Sequence, residues 1–548
     1  MAKKVFYDDD ARERVLAGAK ALYDAVKVTY GPKGRNVVIA KGYGGPTVTH
    51  DGVTVAEAVD LPEDDDETLG YKVGAELIKQ AASKLNKVAG DGTTTVTVLT
   101  YNILKEANRL IAAGHNPMEL RKGIEAAAAD IIRQLDKLAE SIEGKTDRVA
   151  EVATISAGDE QIGKLIAGVI EKVGKDGVVT VEAGQGLELE AEVVEGFSLD
   201  KGWSSPFFVT DAARQEAVYE KPAIVITDKK ISSVAEFLPL IEKLAQAGKK
   251  DVVLIADEVE GEALSVLILN KLKGVLNTVA VKAPAFGDRR KEILQDIAIL
   301  TGGQVISEDQ GLTFENVDLS VIGTARKVIV GKDSTTIIEG AGKPTDVNGR
   351  ITQIVAQADN ASSEYDKEQY EKRAAALRGK VAVIKVGGAT ETEIDEKKFR
   401  VDDAVAATKA ALAEGIVAGG GVTLVNLAAT IKAEGADSIS AGRQILKSAL
   451  RVPFTLITAN AGLNSEALLA QVEAAKAGQG VDVNNPDGGL VDVKKAGVID
   501  PVKVTKEAVQ NAVSIASTAA TMGALVVDVP EPEAPAAPGG MPGGMGMM

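Results

Sequence analysis

The sequence predicts a multidomain α/β protein in which mostly helical ends enclose an α/β centre. Apolar residues recur at helical spacing toward both ends, whereas the middle alternates short β-branched runs with helical stretches. The 548 residues are enough for several domains. We find no repeat of fixed period. The pattern therefore favours one terminal domain closed by both chain ends, with a domain inserted in it.

The helical ends are marked by periodic apolar residues and by glycines that stop helices. Helices are predicted over 8–29 and 68–89, with a stop at Gly90, and further helices follow to about residue 138. Between the first two, "RNVVIAKGYGGPTVTHDGVTV" predicts a β-hairpin, because two alternating runs flank a glycine-rich turn. The C-terminal part is again helical over 404–476 and 506–522.

The centre contains four strand-like runs: "KPAIVITDKKI", "KKDVVLIADEV", "NTVAVKAP" and "GGQVISE". Predicted helices separate them at 233–247, 261–273 and 289–300. This alternation indicates a parallel α/β unit. The last segment, 529–548, is rich in Pro, Gly and Met, which predicts a flexible appendage.

Composition excludes several classes of chemistry. The formal net charge is -17, so the chain repels a phosphate backbone, and neither nucleic acid nor a membrane is an expected partner. There is no cysteine, which excludes thiol nucleophiles, disulfides and Cys-ligated zinc. The two histidines, His50 and His115, are too few for a multi-His metal site. Without an apolar signal region or a membrane-length apolar run, a cytoplasmic location is expected.

The stretch "KVAGDGTTTVTVL", 87–99, predicts a helix N-terminus suited to an anion. Apolar residues share one face from Val96 onward, which places "DGTTT" at the start of a helix, where free N–H groups and the helix dipole favour negative charge. The Asp91 carboxylate would repel a bare phosphate unless a divalent cation lay between them. Mg²⁺ accepts oxygen ligands from carboxylates and phosphates together. We interpret the stretch as a metal–phosphate site, with a simple Asp/Thr helix cap as the alternative.

Three other glycine-rich stretches support this interpretation. They are "TYGPKGRN" at 29–36, "THDGVTV" at 49–55, and "EGIVAGGGVTL" at 414–424. The second presents Asp51 in a turn between β-like segments, and the third has three consecutive glycines in a helical context. Each is a weak signal alone, since turns need glycine anyway. None fits the GxxxxGK[ST] or GxGxxG pattern, so a phosphate site here would be of another type.

Taken together, these stretches resemble group I chaperonins of the bacterial GroEL type. The resemblance covers essentially the whole chain and rests on these motifs: "GPKGRNVV", "DGVTVA", "AGDGTTT", "VKAPAFGDRRKEILQDIAILTGG", "VAVIKVGGATETE", "EGIVAGGGV", "IDPVKVT" and the GGM-type tail. It implies an ATPase that couples hydrolysis to protein folding and takes part in the stress response. ATP, Mg²⁺ and K⁺ are the implied cofactors.

The resemblance also implies three domains and a ring. The equatorial ATP-binding domain would comprise 1–138 and 414–528, the hinged intermediate domain 139–195 and 380–413, and the apical client-binding domain 196–379. Seven subunits would form a ring, closed by a lid cochaperonin and acting on unfolded client proteins. The segment 448–470, which matches the contact between rings, is shorter than usual, and Thr455 and Asn464 stand near positions where Arg and Glu are common. Two stacked rings are still expected, because apolar contacts remain.

Roles of single residues follow from the same resemblance. Asp91 would bind Mg²⁺, and Asp51 and Asp403 would arrange the attacking water as catalytic residues. The K⁺ site would use Thr29, Thr94 and the backbone of His50, a position where Lys is usual. The remaining ATP contacts would be Tyr30, Gly31, Pro32, Gly92, Thr93, Thr95, Gly420, Asp500 and, in a loop that departs from the family pattern, Asp482 and Val483.

An aromatic cluster and an apolar helix predict a binding surface in the centre. "GWSSPFF", 202–208, groups three of the chain's 19 aromatic residues, and "EGEALSVLILNKLKG" is apolar over most of its circumference. Core packing is the alternative, but a helix apolar all round leaves part of its surface exposed, and such patches mark binding sites. In the resembling family, clients and the cochaperonin bind at positions matching Trp203, Phe207, Phe208, Leu238, Ile241, Leu264, Ile268 and Leu269.

Two other functions remain open from the sequence. A metabolic enzyme is one, because the central βαβ pattern resembles a cofactor domain, but "TDKKISSV" after the first strand carries no nucleotide fingerprint. The other is a chaperonin paralogue that acts as a scaffold or binding protein without a productive folding cycle.

Overall fold

The computed structural model describes residues 2–40, 46–63, 65–174, 177–184, 186–212, 214–361 and 363–529. The chain forms two compact units, one from residues 1–167 and 388–548 and the other from 168–387. Both chain ends thus belong to one unit, and the other unit is inserted between them. The predicted boundaries of a separate intermediate domain stay a prediction. The hairpin tip at 41–45 and the predicted flexible tail, apart from Val529, lie outside the described residues.

The N-terminal part is mostly helical, as its periodicity predicts. Its strands are β1 (Lys3–Tyr7), β2 (Val37–Ile39) and β3 (Thr47–Thr49). Its helices are α1 (Asp8–Val26), α2 (Gly52–Ala58), α3 (Tyr71–Ala89), α4 (Thr93–Ala112), α5 (Pro117–Leu138), α6 (Thr146–Ala157) and α7 (Glu160–Val173). The division between the units falls within α7.

The inserted unit alternates strands with helices. Its strands are β4 (Val178–Ala183), β5 (Glu190–Leu199), β6 (Ala217–Glu220), β7 (Ala223–Thr227), β8 (Lys230–Ile231), β9 (Asp251–Ala256), β10 (Glu258–Val259), β11 (Asn277–Lys282), β12 (Val305–Ile306), β13 (Gly323–Val330), β14 (Thr335–Gly340) and β15 (Lys380–Val386). Its helices are α8 (Val234–Gln246), α9 (Gly261–Leu272), α10 (Gly287–Thr301), α11 (Pro344–Asp359) and α12 (Glu364–Leu377).

The C-terminal part returns to the first unit. Its helices are α13 (Glu391–Glu414), α14 (Val422–Thr430), α15 (Ser438–Ala449), α16 (Val452–Asn460), α17 (Ser465–Ala474) and α18 (Val502–Ala520). Short strands accompany them: β16 (Ile416–Ala418), β17 (Gln479–Val481), β18 (Leu490–Asp492), β19 (Ile499–Pro501) and β20 (Ala524–Asp528). β20 pairs with β1, so the two chain ends share one antiparallel ribbon.

The first unit has a helical core in which glycines allow close helix contacts. Its apolar cluster is drawn from α1, α3, α4, α5, α15 and α18. α5 and α15 approach through Gly123 and Gly442. A Cβ on Gly123 would lie 2.1 Å from the Ile439 carbonyl oxygen, and one on Gly442 would lie 2.2 Å from that of Leu120. Only residues without a side chain fit this contact.

The inserted unit is built on a mixed ten-stranded sheet. β11, β9, β7 and β12 pair in parallel, which confirms the parallel α/β unit predicted for these runs. β13, β14 and β5 continue the sheet antiparallel, and β4 and β15 complete its far edge. Strands such as β7 and β9 are almost wholly buried, as expected of parallel strands covered on both faces.

Two local predictions were wrong. The residues after Asp51 form helix α2, not the end of a hairpin strand, because both Asp51 carboxylate oxygens accept hydrogen bonds from the first turn: Val53 N at 3.1 Å and Thr54 N at 2.7 Å. This cap outweighs the alternation of β-branched residues. The glycines after Ala418 do not continue a helix either. They form a turn between β16 and α14, where Gly420 and Gly421 have φ of 63° and 77°.

Candidate functional site

The "GDGTTT" stretch forms the N-terminus of α4, as predicted. Gly92 caps the helix with φ of 86°, a left-handed conformation that favours glycine. The first N–H groups of a helix have no acceptor within it, so those of Thr93, Thr94 and Thr95 are available to a bound anion. Gly92 also packs closely, since a Cβ there would lie 2.6 Å from Val504 Cγ1.

The first phosphate loop lies against the same helix end. The hydroxyls of Thr29 and Thr94 are 3.5 Å apart, and those of Tyr30 and Thr95 form a hydrogen bond of 2.8 Å. Asn460 of α16 holds this loop from the other side: its side-chain amide donates to the Tyr30 carbonyl at 2.9 Å. Two segments more than sixty residues apart in the chain thus line one site through hydroxyl groups.

The loop carrying His50 and Asp51 lies against the threonine hydroxyl groups at the N-terminus of α4. A Cβ on Gly52 would lie 2.4 Å from the Thr94 hydroxyl oxygen, so the chain after Asp51 touches the start of α4. His50 is half-buried, and burial, with Arg400 nearby, lowers the pKa of its imidazole.

Asp91 is anchored in the middle of the site. Its carboxylate accepts a hydrogen bond from Gly92 N at 2.5 Å and another from the Ser156 hydroxyl at 2.9 Å. Burial raises the pKa of Asp91, and these two donors oppose the shift. Ser156 lies on α6, and sequence reasoning missed it because nothing local links a serine 65 residues away to this loop.

Asp403 of α13 faces the same carboxylates. Burial, followed by repulsion from Asp51, Asp91 and Asp402, raises the pKa of Asp403 well above its ordinary value. α13 is held close to the loop, since a Cβ on Gly90 would lie 2.0 Å from that of Ala406. The structure thus brings the two predicted water-positioning residues together.

Asp500 adds another carboxyl from β19. Burial, followed by repulsion from Asp91, raises the pKa of Asp500 to about 7, although the Gly420 N–H donates to it and opposes the shift. Repulsion among acidic groups and their burial together favour a bound cation at this place. Within the described residues, no group of three or more His, Cys, Asp or Glu side chains is arranged to hold a metal alone. A metal bound at Asp91 would therefore need further oxygen ligands, such as those of phosphates.

The remaining predicted ATP contacts lie in turns. Gly31 has φ of 81° and packs on Ile457, and Pro32 follows it in the turn after the 3₁₀ helix Lys27–Thr29. Asp482 and Val483 lie in the turn after β17, where the Asp482 carboxylate accepts from Asn484 N at 2.9 Å. That hydrogen bond stabilises the turn.

The inserted unit exposes an apolar surface on α8, α9 and the 3₁₀ turn Pro206–Phe208. Phe207 is 62% exposed, and Leu269 and Leu272 of α9 are 51% and 66% exposed. Leu238 and Val275 are also exposed, whereas Trp203, Ile241, Leu264 and Ile268 are partly buried against the core. We call Phe207, Leu238, Leu269, Leu272 and Val275 the apolar surface. Leu272 belongs to the apolar helix that the sequence marked, whereas Val275, in the turn after α9, was not predicted.

The prediction that Phe208 belongs to this surface was wrong. Its side chain is 0% exposed and lies in the core of the inserted unit. Neighbouring side chains on a short turn point in different directions, so only one of the two phenylalanines can face outward. Packing of the turn leaves the Phe207 side chain exposed and buries that of Phe208.

The geometry describes a class of protein: one unit gathers carboxylates and hydroxyls around a helix N-terminus, and the other exposes aliphatic and aromatic side chains. Within the described residues, no helix combines the length and apolar character that a bilayer crossing requires. A profile of the TCP-1/cpn60 chaperonin family matches residues 22–529. The chain therefore belongs to this family, and membership supports a role as a protein-folding chaperone.

Proposed function

We propose that the chain is a group I chaperonin of the bacterial GroEL type. It would hydrolyse ATP with Mg²⁺ and K⁺, capture non-native proteins on the apolar surface, and enclose them in a seven-subunit ring closed by a lid cochaperonin. The observation that carries the ATPase proposal is the meeting of Asp51, Asp91 and Asp403 at the hydroxyl-lined N-terminus of α4. Family membership supports the rest.

The residues present fit a metal-bound nucleoside triphosphate. The amides and hydroxyls of Thr93, Thr94 and Thr95 would bind phosphate oxygens, and Asp91 would hold Mg²⁺, which supplies charge neutralisation. The Ser156 hydroxyl orients the Asp91 carboxylate. Tyr30, held by Thr95 and Asn460, keeps the first phosphate loop in place.

Two carboxylates would arrange the attacking water. Asp403 has a raised pKa, so in its ionised form the carboxylate is a stronger base than that of an ordinary aspartate. Asp51 uses both oxygens to cap α2 and also accepts from the Thr54 hydroxyl at 2.6 Å. Asp51 is thus fixed in position, and we assign it to orienting and Asp403 to proton acceptance.

Client capture would use the hydrophobic effect. Non-native chains expose apolar residues, and the apolar surface offers them a place to bury that area. ATP binding would shift the population between states that expose or withdraw this surface.

Refolding of a chemically denatured enzyme tests the proposal. The chain, ATP, Mg²⁺, K⁺ and a group I cochaperonin together should restore more activity than any mixture lacking one component. Capture without ATP-dependent refolding would instead favour the scaffold or binding protein, and hydrolysis without capture would contradict the role given to the apolar surface.

A further inference from the structure

A half-buried lysine joins the two segments that carry the apolar surface. Lys271 lies in the last turn of α9, next to the exposed Leu272. Its ammonium donates to the carbonyl oxygen of Phe208 and, at 3.3 Å, to that of Val209. These carbonyls end the turn that presents Phe207.

Backbone hydrogen bonds hold both ends of the turn. Its incoming end is held by Ser204 N, which donates to Ala280 O at 2.8 Å, and its outgoing end by Thr210 N, which donates to Glu216 O at 2.9 Å. Between these points the backbone bends through a single 3₁₀ turn, stabilised internally by Val209 N donating to Pro206 O. Lys271 connects the end of the 3₁₀ turn, at Phe208 and Val209, to α9.

Burying an ammonium beside carbonyl groups has a free-energy cost. Burial lowers the pKa of Lys271 to about 8, and no acidic group contributes to the shift. A lysine needed only for its aliphatic stem would extend its charge to water. The ammonium instead donates to backbone carbonyl groups, which indicates that these hydrogen bonds help to hold the turn.

We propose that Lys271 is a positioning residue of the client-binding surface: by holding the Phe208 and Val209 carbonyls, it fixes Phe207 beside the exposed leucines of α9. This inference rests on the proposed function. Lys271 acts through Phe207, so a client need not touch the ammonium.

Capture of a denatured protein by three lysine variants of the full chain tests the inference. Lys271→Met keeps the stem and removes the ammonium, and should weaken capture about tenfold, as when an interface aromatic loses its position. Lys271→Arg should restore capture to within about threefold, because a guanidinium can also donate to carbonyls. Lys273→Met, at an exposed lysine two residues on, should change nothing. Lys271→Leu replaces the methionine variant if that does not fold, with the same loss expected, because leucine has no donor either.

A double-mutant cycle separates positioning from direct contact. In a Phe207→Ala background, Lys271→Met should have no further effect on capture. Additive losses would overturn the inference, because they would mean that Lys271 touches the client itself. An unchanged Lys271→Met variant would overturn it as well.

Amide hydrogen exchange over residues 206–210 keeps this test separate from the proposed function. Exchange should be faster in Lys271→Met than in Lys273→Met, whether or not any client binds. If the wild-type chain captures no denatured protein, the proposed function fails while exchange still reports on the lysine. Equal exchange in the two variants would overturn the positioning role.

Discussion

The carboxylates of the site differ in what surrounds them, and this difference assigns their roles. Asp91 is fixed by Gly92 and Ser156 at the start of α4, where it can hold a metal. Asp403 lies on α13 and faces the other carboxylates. Removing Asp91 should therefore impair metal-dependent binding as well as turnover, whereas removing Asp403 should impair turnover alone.

We expect Asp403→Ala to keep ATP affinity but slow hydrolysis by about 10²–10⁴-fold, the range for a lost acid–base contribution. Asp91→Ala should impair both metal-dependent binding and turnover. Equilibrium nucleotide binding and single-turnover hydrolysis measure the two effects. Normal hydrolysis by Asp403→Ala would mean that Asp403 does not position the attacking water.

The lowered pKa of Lys271 predicts unusual reactivity. At neutral pH a larger fraction of this amine is unprotonated than in an ordinary lysine, whose pKa is near 10.4. Its labelling by an amine-selective acylating reagent should rise with pH and level off above about 8, whereas ordinary lysines continue to gain reactivity. Mass spectrometry of peptides from chain labelled at several pH values measures this. A labelling rate that keeps rising to pH 10 would contradict the shift.

Helix contacts in the first unit depend on glycine. Gly442→Ala places a methyl group against the Leu120 carbonyl of α5, so we expect a loss of about 1–3 kcal/mol in the free energy of unfolding. Gly168→Ala in α7 is the matched control, since a Cβ there meets nothing within 4 Å and alanine is the better helix former. Urea unfolding followed by circular dichroism compares them. Equal stability of the two variants would show that α5 and α15 separate easily.

Three helices of the inserted unit are joined by one buried carboxylate. Asp296 of α10 pairs with Arg350 of α11 at 2.6 Å and with Arg373 of α12 at 2.8 Å. Burial raises the pKa of Asp296, although both guanidiniums lower it. The buried cluster of Asp296, Arg350 and Arg373 is therefore stable only while the carboxylate keeps its arginine partners.

Asp296→Ala should cost about 3–5 kcal/mol, because it removes the buried carboxylate that two guanidiniums share, although Arg373 keeps its pair with Glu292. Asp309→Ala removes the exposed pair with Lys291 and should cost at most about 1 kcal/mol. Fluorescence of Trp203, the chain's single tryptophan, reports unfolding of this unit in urea. Comparable losses would mean that the buried cluster is solvated in solution.

At the scale of the whole molecule, the chain ends meet in one unit and the apolar surface lies in the other. In the proposed ring, client capture and ATP hydrolysis are therefore functions of different units of each subunit. The inserted unit has its own sheet and its own core.

We expect two stacked rings of seven subunits in solution. Exposed ion pairs often contribute only ~0–1 kcal/mol each, so their loss near Thr455 and Asn464 need not separate the rings. Native mass spectrometry should show fourteen subunits of 56.9 kDa. A particle of seven subunits would contradict the stacking and leave the ring itself intact.

Local signals in the sequence determined the mixed fold class, the parallel centre and the loop "GDGTTT". They could do so because helical periodicity, β-branched runs and glycine-rich turns depend on neighbouring residues. Asp91 and its threonines were visible for the same reason, since the helix N-terminus and its ligands are adjacent in the chain.

Only the tertiary structure decided which distant groups join that loop and which apolar residues face outward. Ser156 and Asn460 reach the site from other helices, and no local pattern marks them. Phe207 and Phe208 have the same chemistry, yet one is exposed and the other is core, because the turn's packing against α9 and the sheet admits a single ring. Similarly, Asp51 made its own helix cap where alternation predicted a strand, since hydrogen bonds to free N–H groups outweigh a weak β preference.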